Sequence, residues 1–264
     1  MSVFKTVEIA DKAYVRDNLH FMTVKSKNLK GRGDISFYIP ETEKTDLPLA
    51  ILLHGVYGSS WSWAFSGGAH LVAVDLIAKG EIPPMILAMP SDGLPGDGSG
   101  YVIHPNRNFE AWIVDDVPAA AREMTNLLTS ESKLFIGGLS MGGFGALRLG
   151  AKFPEKFSAI SGHSSATEFG LLQQFMEEDL WDKFDVDNPD YSPIHWFITN
   201  RDKLPPFRFD CGVDDILIEG NRTLHSQLEE EGIKHIYEEF SGEHTWDYWH
   251  DHLKDSLCFF AQQL

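Results

Sequence analysis

Lys133–Leu147 reads KLFIGGLSMGGFGAL. Lys133 to Ile136 predicts a strand, and Met141 to Lys152 predicts a helix. Between them lies G-x-S-x-G, from Gly138 to Gly142, with Ser140 at its centre. A sharp turn from strand to helix throws the central side chain outside the sheet. Glycines two residues to either side let neighbouring backbone approach where a Cβ would clash. A helix-capping serine in a glycine-rich turn is the plainer reading. The preceding strand, the following helix and the extra Gly137 and Gly143 favour Ser140 as a nucleophile instead. Gly162-His163-Ser164-Ser165-Ala166 nearly repeats the pattern after another strand, but no clear helix follows closely. Ser164 and Ser165 are expected to line the pocket or cap a turn.

Working outward, strands and helices alternate along most of the chain. Phe21–Lys27 and Ile35–Ile39 read as an opening β-hairpin, with Gly31 and Gly33 between them. Pro48–Leu53 and Met85–Met89 are continuous apolar runs, as strands buried on both faces require. Phe157–Ile160, Phe207–Cys211 and His235–Phe240 supply further strands. Helices are expected at Ala69–Lys79, Phe109–Leu128, Ile218–Glu231 and from Thr245 onward. Ser91–Asn108 is rich in Gly, Pro and Asp and reads as a loop. Residues 163–205 look irregular, with one helical stretch from Phe169 to Asp179. Such alternation implies an α/β fold with a mostly parallel central sheet and helices on both faces. Ligands then bind beyond the carboxyl ends of the strands. With 264 residues and no linker-like or repetitive tract, one domain spanning 1–264 is expected, with 163–205 as an insertion over the site.

A serine hydroxyl needs a base to take its proton. His244, in Phe240-Ser241-Gly242-Glu243-His244-Thr245, stands between the last strand and the last helix. His195, His225 and His235 do not follow strands, and His250 and His252 fall within the final helix. Asp214 and Asp215 both follow the strand ending at Cys211, and spacing alone leaves them even. One would orient the imidazole and stabilise the imidazolium; the other would cap the next helix. Asp247, His250, Asp251 and His252 near His244 allow a metal reading, but the serine already has a use for His244, so no metal is expected. Two N–H donors must face the developing oxyanion. They are expected at Met141, after the nucleophile, and at Val56 in Leu53-His54-Gly55-Val56-Tyr57-Gly58. Gly55 leaves room for the acyl group, and His54 is expected to steady the loop rather than act as base.

LLHGVYGS (52–59), GGLSMGGFGAL (137–147), CGVDDILIEGNRTLHSQL (211–228) and GEHTWDYW (242–249) together resemble the putative-esterase group of the α/β-hydrolases. That group includes esterase D (S-formylglutathione hydrolase), tributyrin, feruloyl and acetylxylan esterases, and the mycolyltransferases. The resemblance runs from the hairpin to the last helix and implies an α/β-hydrolase fold. It implies Ser140 as nucleophile, His244 as base and Val56 as second oxyanion donor. In similar members the acid is the third residue after the Cys-Gly pair, which implies Asp215 over Asp214. The GEHTWDYW ending is more similar to tributyrin and feruloyl esterases than to esterase D. Two segments depart from the pattern: the PSDGLPGDGSGYV loop (90–102), and Asp115-Asp116-Val117-Pro118, where relatives tend to carry Glu-Leu.

Aromatic residues crowd the expected site. Trp61, Trp63 and Phe65 follow the oxyanion loop, Phe144 follows the nucleophile and Trp246 follows the base. Gly55, Tyr57, Trp61 and Trp246 are the expected substrate contacts. Asp92, Asp97 and Tyr101 are expected to meet a polar alcohol moiety, and Trp181 and Trp196 to lie over the site.

The balance of 22 basic and 39 acidic residues, a formal charge of -17, argues against nucleic acid or an anionic membrane as partner. Cys211 and Cys258 form neither a disulfide framework nor a zinc pattern and read as buried thiols. With no apolar leader-like stretch, a cytoplasmic location is expected, a secreted form with its leader removed being the alternative. The sequence therefore points to a cofactor-free serine carboxylesterase acting on short-chain acyl or carbohydrate-linked esters through an acyl-enzyme. The rivals are a thioesterase or acyltransferase, and a non-catalytic binding protein on the same scaffold.

Overall fold

The computed structural model describes residues 2–177 and 179–264. Its strands are β1 (Val7–Ile9), β2 (Leu19–Ser26), β3 (Gly31–Tyr38), β4 (Leu49–Leu53), β5 (Ile86–Pro90), β6 (Ile103–His104), β7 (Arg107–Asn108), β8 (Leu134–Leu139), β9 (Ala159–His163), β10 (Phe207–Gly212) and β11 (Ile236–Phe240). β6 and β7 form a small separate hairpin. The other nine make one sheet in the order β1-β2-β3-β5-β4-β8-β9-β10-β11. From β5 to β11 all neighbours run parallel; β1, β2 and β3 join antiparallel at one edge.

Helices cover both faces. Leu49, Ile51 and Leu53 of β4 face a core shared with Phe144, Leu147 and Leu224. Ala50 and Leu52 face the opposite core, with Trp63, Leu253, Leu257 and Phe260. Because side chains alternate along a strand, two apolar layers demand an unbroken apolar run. Every residue of β4 and β5 is buried, as that demand requires.

Three local expectations are corrected. Gly31 and Gly33 lie inside β3 rather than between the hairpin strands. A Cβ on Gly33 would come within 2.5 Å of the Trp112 ring, so this glycine serves close packing and not a turn. The helix expected over Phe109–Leu128 is broken into Phe109–Ala111, a wider π-turn at Trp112–Asp116, and Val117–Met124. Pro118 has no N–H to donate to the carbonyl four residues back, which fits the wider turn just before it. The stretch Phe169–Phe175 is a 3-10 helix that ends before Asp179.

Residues 163–205 are fastened to the body by a charge cluster in which Arg148 and Glu110 are buried. Arg148 and Lys152, on the helix Met141–Lys152, both pair with Glu110 and with Asp190 of this segment. The two Lys152 contacts measure 2.9 Å to Glu110 and 2.8 Å to Asp190. Trp196 donates its indole N–H to the Asp190 carbonyl and packs beside Lys152. Trp181 is exposed and borders a surface cleft with Gly170 and Tyr191. Neither tryptophan borders the cavity at Ser140, contrary to expectation.

Candidate active site

Ser140 sits between β8 and the helix Met141–Lys152 with φ +54° and ψ −119°. That is a costly conformation for a residue with a Cβ, held only where the surroundings impose it. Here they do. A Cβ on Gly138 would lie 2.3 Å from the Gly142 carbonyl oxygen, and one on Gly142 would lie 2.2 Å from that of Leu53. The motif glycines thus let the turn pack against itself and against the end of β4.

The Ser140 Oγ lies 3.0 Å from His244 Nε2. On the other side of the ring, His244 Nδ1 lies 2.9 Å from Asp215 Oδ2 and 3.0 Å from Oδ1. Asp215 is buried, and its Oδ1 also accepts the Leu217 N–H at 2.8 Å. An ionised carboxylate can only accept, so Nδ1 carries a proton and Nε2 presents its lone pair to the serine. Such a relay can draw a proton from Oγ. Asp214 is exposed and its side chain does not cap the following helix, whose N-cap is Leu217. The expected division of labour is corrected here: Asp215 serves both the imidazole and the turn.

The loop 54–58 faces the serine. Gly55 is so close that a Cβ there would come within 3.2 Å of the Ser140 Cβ. Among the described residues, the Val56 and Met141 N–H groups have no acceptor. His54 is buried beneath this loop. Its Nδ1 lies 2.6 Å from the Gly55 carbonyl and its Nε2 accepts the Asp92 N–H at 3.0 Å. Both ring nitrogens are spent on backbone, which suits the expected steadying role.

Asp92 and Tyr101, expected to meet substrate, are fully buried. Asp92 accepts the Leu94 and Ser99 N–H groups, and the Tyr101 hydroxyl donates to the His54 carbonyl. Burial first, and the nearby Asp92 carboxylate second, raise the Tyr101 phenol above its ordinary pKa. Both residues support the loop from behind. Asp97 links loops: its carbonyl accepts the Tyr57 N–H, and its carboxylate accepts the Glu177 N–H at 2.7 Å.

A cavity of about 340 Å³ opens over Ser140 and His244. Gly55, Val56, Tyr57, Trp61 and Trp246 border it, as do Phe175 and Trp249. Trp63 is buried, donating to the Leu53 carbonyl and packing edge-on against Trp246. Phe144 is core, and Phe65 is exposed and stacked on Phe21. Phe175 and Trp249 were missed by sequence reasoning. Trp249 lies one helical turn beyond Thr245, a spacing that could have flagged it; Phe175 carries no such signal.

Other candidates do not converge. Ser164 and Ser165 are fully buried and absent from the cavity wall. Cys211 is buried, and burial followed by Asp215 and Asp210 pushes its thiol pKa up, so it is no rival nucleophile. Cys258 is only half-buried. His250 binds the Gly67 carbonyl and His252 binds Asp255, so neither joins His244.

A second His–Asp pair lies deep in the sheet. His163 Nδ1 is 2.9 Å from Asp210, and its Nε2 is 2.6 Å from the Ser256 hydroxyl. Arg208 and Tyr248 also reach Asp210, at 2.7 Å and 2.8 Å. All five side chains are buried. Nothing can reach this serine, and the cluster reads as a polar brace between β9, β10 and the last helix.

Residues 26–260 match the family described as "Putative esterase". The chain belongs to this esterase family. An acetyl esterase of Caldicellulosiruptor saccharolyticus is 27% identical over 235 residues, covering 82% of this chain and 84% of the relative. A solved ferulic acid esterase superposes with a TM-score of 0.77 at 21% identity, covering 99% of this chain and all of that one. An S-formylglutathione hydrolase of Staphylococcus aureus gives the same TM-score at 16% identity, over 97% of this chain and 100% of its own. The fold of this esterase is accordingly the α/β-hydrolase fold, and its activity is ester hydrolysis. Among the described residues no helix is long and apolar enough to cross a membrane.

Proposed function

We propose that this esterase is a serine carboxylesterase for small acyl esters, carbohydrate-linked esters among them, working through an acyl-enzyme. The observation that carries this reading is the unbroken line from Asp215 through His244 to Ser140, with contacts of 2.9 Å and 3.0 Å, opening on one cavity. Ser140 Oγ attacks the ester carbonyl as His244 Nε2 takes its proton. Asp215 holds the ring and stabilises the imidazolium. The Val56 and Met141 N–H groups receive the oxyanion. His244 then protonates the departing alcohol, and water, activated by the same histidine, releases the acid.

Substrate class follows from the walls. Tyr57, Trp61, Phe175, Trp246 and Trp249 make the cavity aromatic, and among the described residues no Lys or Arg borders it. A glutathione thioester brings two carboxylates that this wall has no cation to receive, so an uncharged ester is favoured over S-formylglutathione. Segment 163–205 serves as the partial cover of the site, through Phe175. The test is a panel of p-nitrophenyl acetate, butyrate and octanoate, methyl ferulate, acetylated xylan and S-formylglutathione on wild type and Ser140→Ala. Hydrolysis of the uncharged esters that disappears in the variant is expected. Preference for S-formylglutathione would overturn the substrate class, and activity surviving in Ser140→Ala would overturn the mechanism.

A further inference from the structure

His225, Glu229 and His235 meet at the sheet edge, and the ester chemistry uses none of them. His225 and Glu229 are four residues apart on the helix Ile218–Glu230 and so share a face. The chain then reverses at Gly232, with φ +66°, and returns His235 to the same place just before β11. His225 Nδ1 and His235 Nε2 are 2.8 Å apart. A Glu229 carboxylate oxygen completes a set whose members all lie within 4.8 Å of one another.

His235 is oriented as a ligand. Its Nδ1 lies 2.8 Å from the Ile233 carbonyl, which can only accept, so the proton sits on Nδ1 and the Nε2 lone pair faces the cluster. A carbonyl behind the ring is the usual device for fixing a metal-binding histidine. Phe207 and Phe209 stack near-parallel to the ring and restrict its swing.

A simple imidazole–imidazole hydrogen bond would use two of these groups and leave the carboxylate idle. A cation uses all three. At metal–nitrogen distances of 2.0–2.1 Å, two tetrahedral ligand atoms stand about 3.3 Å apart, so the nitrogens need open by only about 0.5 Å.

We propose that His225, Glu229 and His235 form a binding site for a divalent transition-metal ion, with remaining positions left to solvent. Two imidazoles and a carboxylate suit zinc, nickel or copper rather than calcium or magnesium. The site lies at the amino end of β11, whereas His244 follows its carboxyl end. Its effect is thus to tie an edge strand to the neighbouring helix, a place where sheets otherwise fray or mispair.

The test is titration of the full-length, metal-stripped protein with Zn²⁺, followed by calorimetry and by thermal unfolding. The wild type should bind one ion per chain at this site and melt at higher temperature with it. His225→Ala and His235→Ala should each weaken that binding at least about ten-fold, since even loss of a second-shell partner costs 10–100-fold. Glu229→Gln, at an exposed position, should weaken it without disturbing the fold, and carries the test if a histidine variant fails to fold. Hydrolysis of p-nitrophenyl acetate by the metal-stripped variants should match the wild type. Absence of Zn²⁺ binding to the wild type, or equal affinity and stoichiometry in all variants, would overturn the proposal.

Discussion

The Phe175 ring lies nearly parallel to the His244 imidazole, with centroids 5.4 Å apart and planes 21° from parallel. Trp249 meets the same imidazole edge-on at 4.9 Å. The proposed base thus contacts two aromatic residues, one from the last helix and one from the segment 163–205. Aromatic pairs are worth about 0.5–1.5 kcal/mol beyond the area they bury. Phe175→Ala should therefore lower kcat/KM on p-nitrophenyl acetate roughly 2- to 10-fold while leaving Ser140 reactive. Steady-state kinetics would check this, and unchanged kcat/KM would remove Phe175 from the site.

Asp214 and Asp215 are adjacent yet differently placed, one exposed and one buried against His244 Nδ1. Replacing an orienting aspartate by asparagine in a triad typically lowers kcat about 10⁴-fold. Asp215→Asn is expected to show a loss of that order, and Asp214→Asn almost none. Comparing kcat for the two purified variants decides the assignment, and the reverse ranking would refute it.

In the proposed mechanism His54 acts only through the loop it holds. His54→Ala strands the buried Asp92 N–H, a loss of about 1–3 kcal/mol in stability. It also frees the loop that carries the proposed Val56 donor, and one misplaced donor costs roughly 10²–10³ in kcat. Urea unfolding together with kcat should show both losses. Full kcat in a destabilised His54→Ala protein would separate the loop from the oxyanion.

The buried brace around Asp210 gives a pH signature. Burial pushes this carboxyl up, but His163, Arg208 and Tyr248 outweigh it and hold the pKa at about 2. A carboxylate depressed in the folded state stabilises the fold fully above its unfolded pKa of about 3.9, and that stability is lost as pH falls through about 2. Stability should therefore drop between pH 4 and pH 2, by roughly 2 kcal/mol from this group. Asp210→Asn should remove that dependence while lowering stability at pH 7 by up to about 3–5 kcal/mol, because Arg208 loses its buried partner and keeps only the more exposed Glu238. Denaturation curves across that pH range test both expectations.

What was legible in the sequence was whatever one short stretch of chain dictates. Gly138, Ser140 and Gly142 announce the turn because its steric demands are local. The unbroken apolar run of β4 announces a two-sided sheet for the same reason. Misreadings arose where glycine or polarity answered to a distant partner. Gly33 looked like a turn residue, yet Trp112 is its reason. Asp92 and Tyr101 sat in a glycine-rich loop that looked solvent-facing, yet His54 and its neighbours bury them. Spacing left Asp214 and Asp215 even, because burial against His244 is a tertiary fact. Phe175 could not be read at all, since its place over His244 depends on how the whole segment 163–205 packs.

The most direct measurement is peptide mapping by mass spectrometry after reaction with a small organofluorophosphonate. Such reagents trap a serine whose hydroxyl is activated by a base. The account predicts one adduct per chain, on Ser140, formed as p-nitrophenyl acetate hydrolysis disappears, and no adduct on Ser164, Ser165 or Ser256. An adduct on another serine that tracks the loss of activity, or full inhibition with Ser140 unmodified, would contradict it.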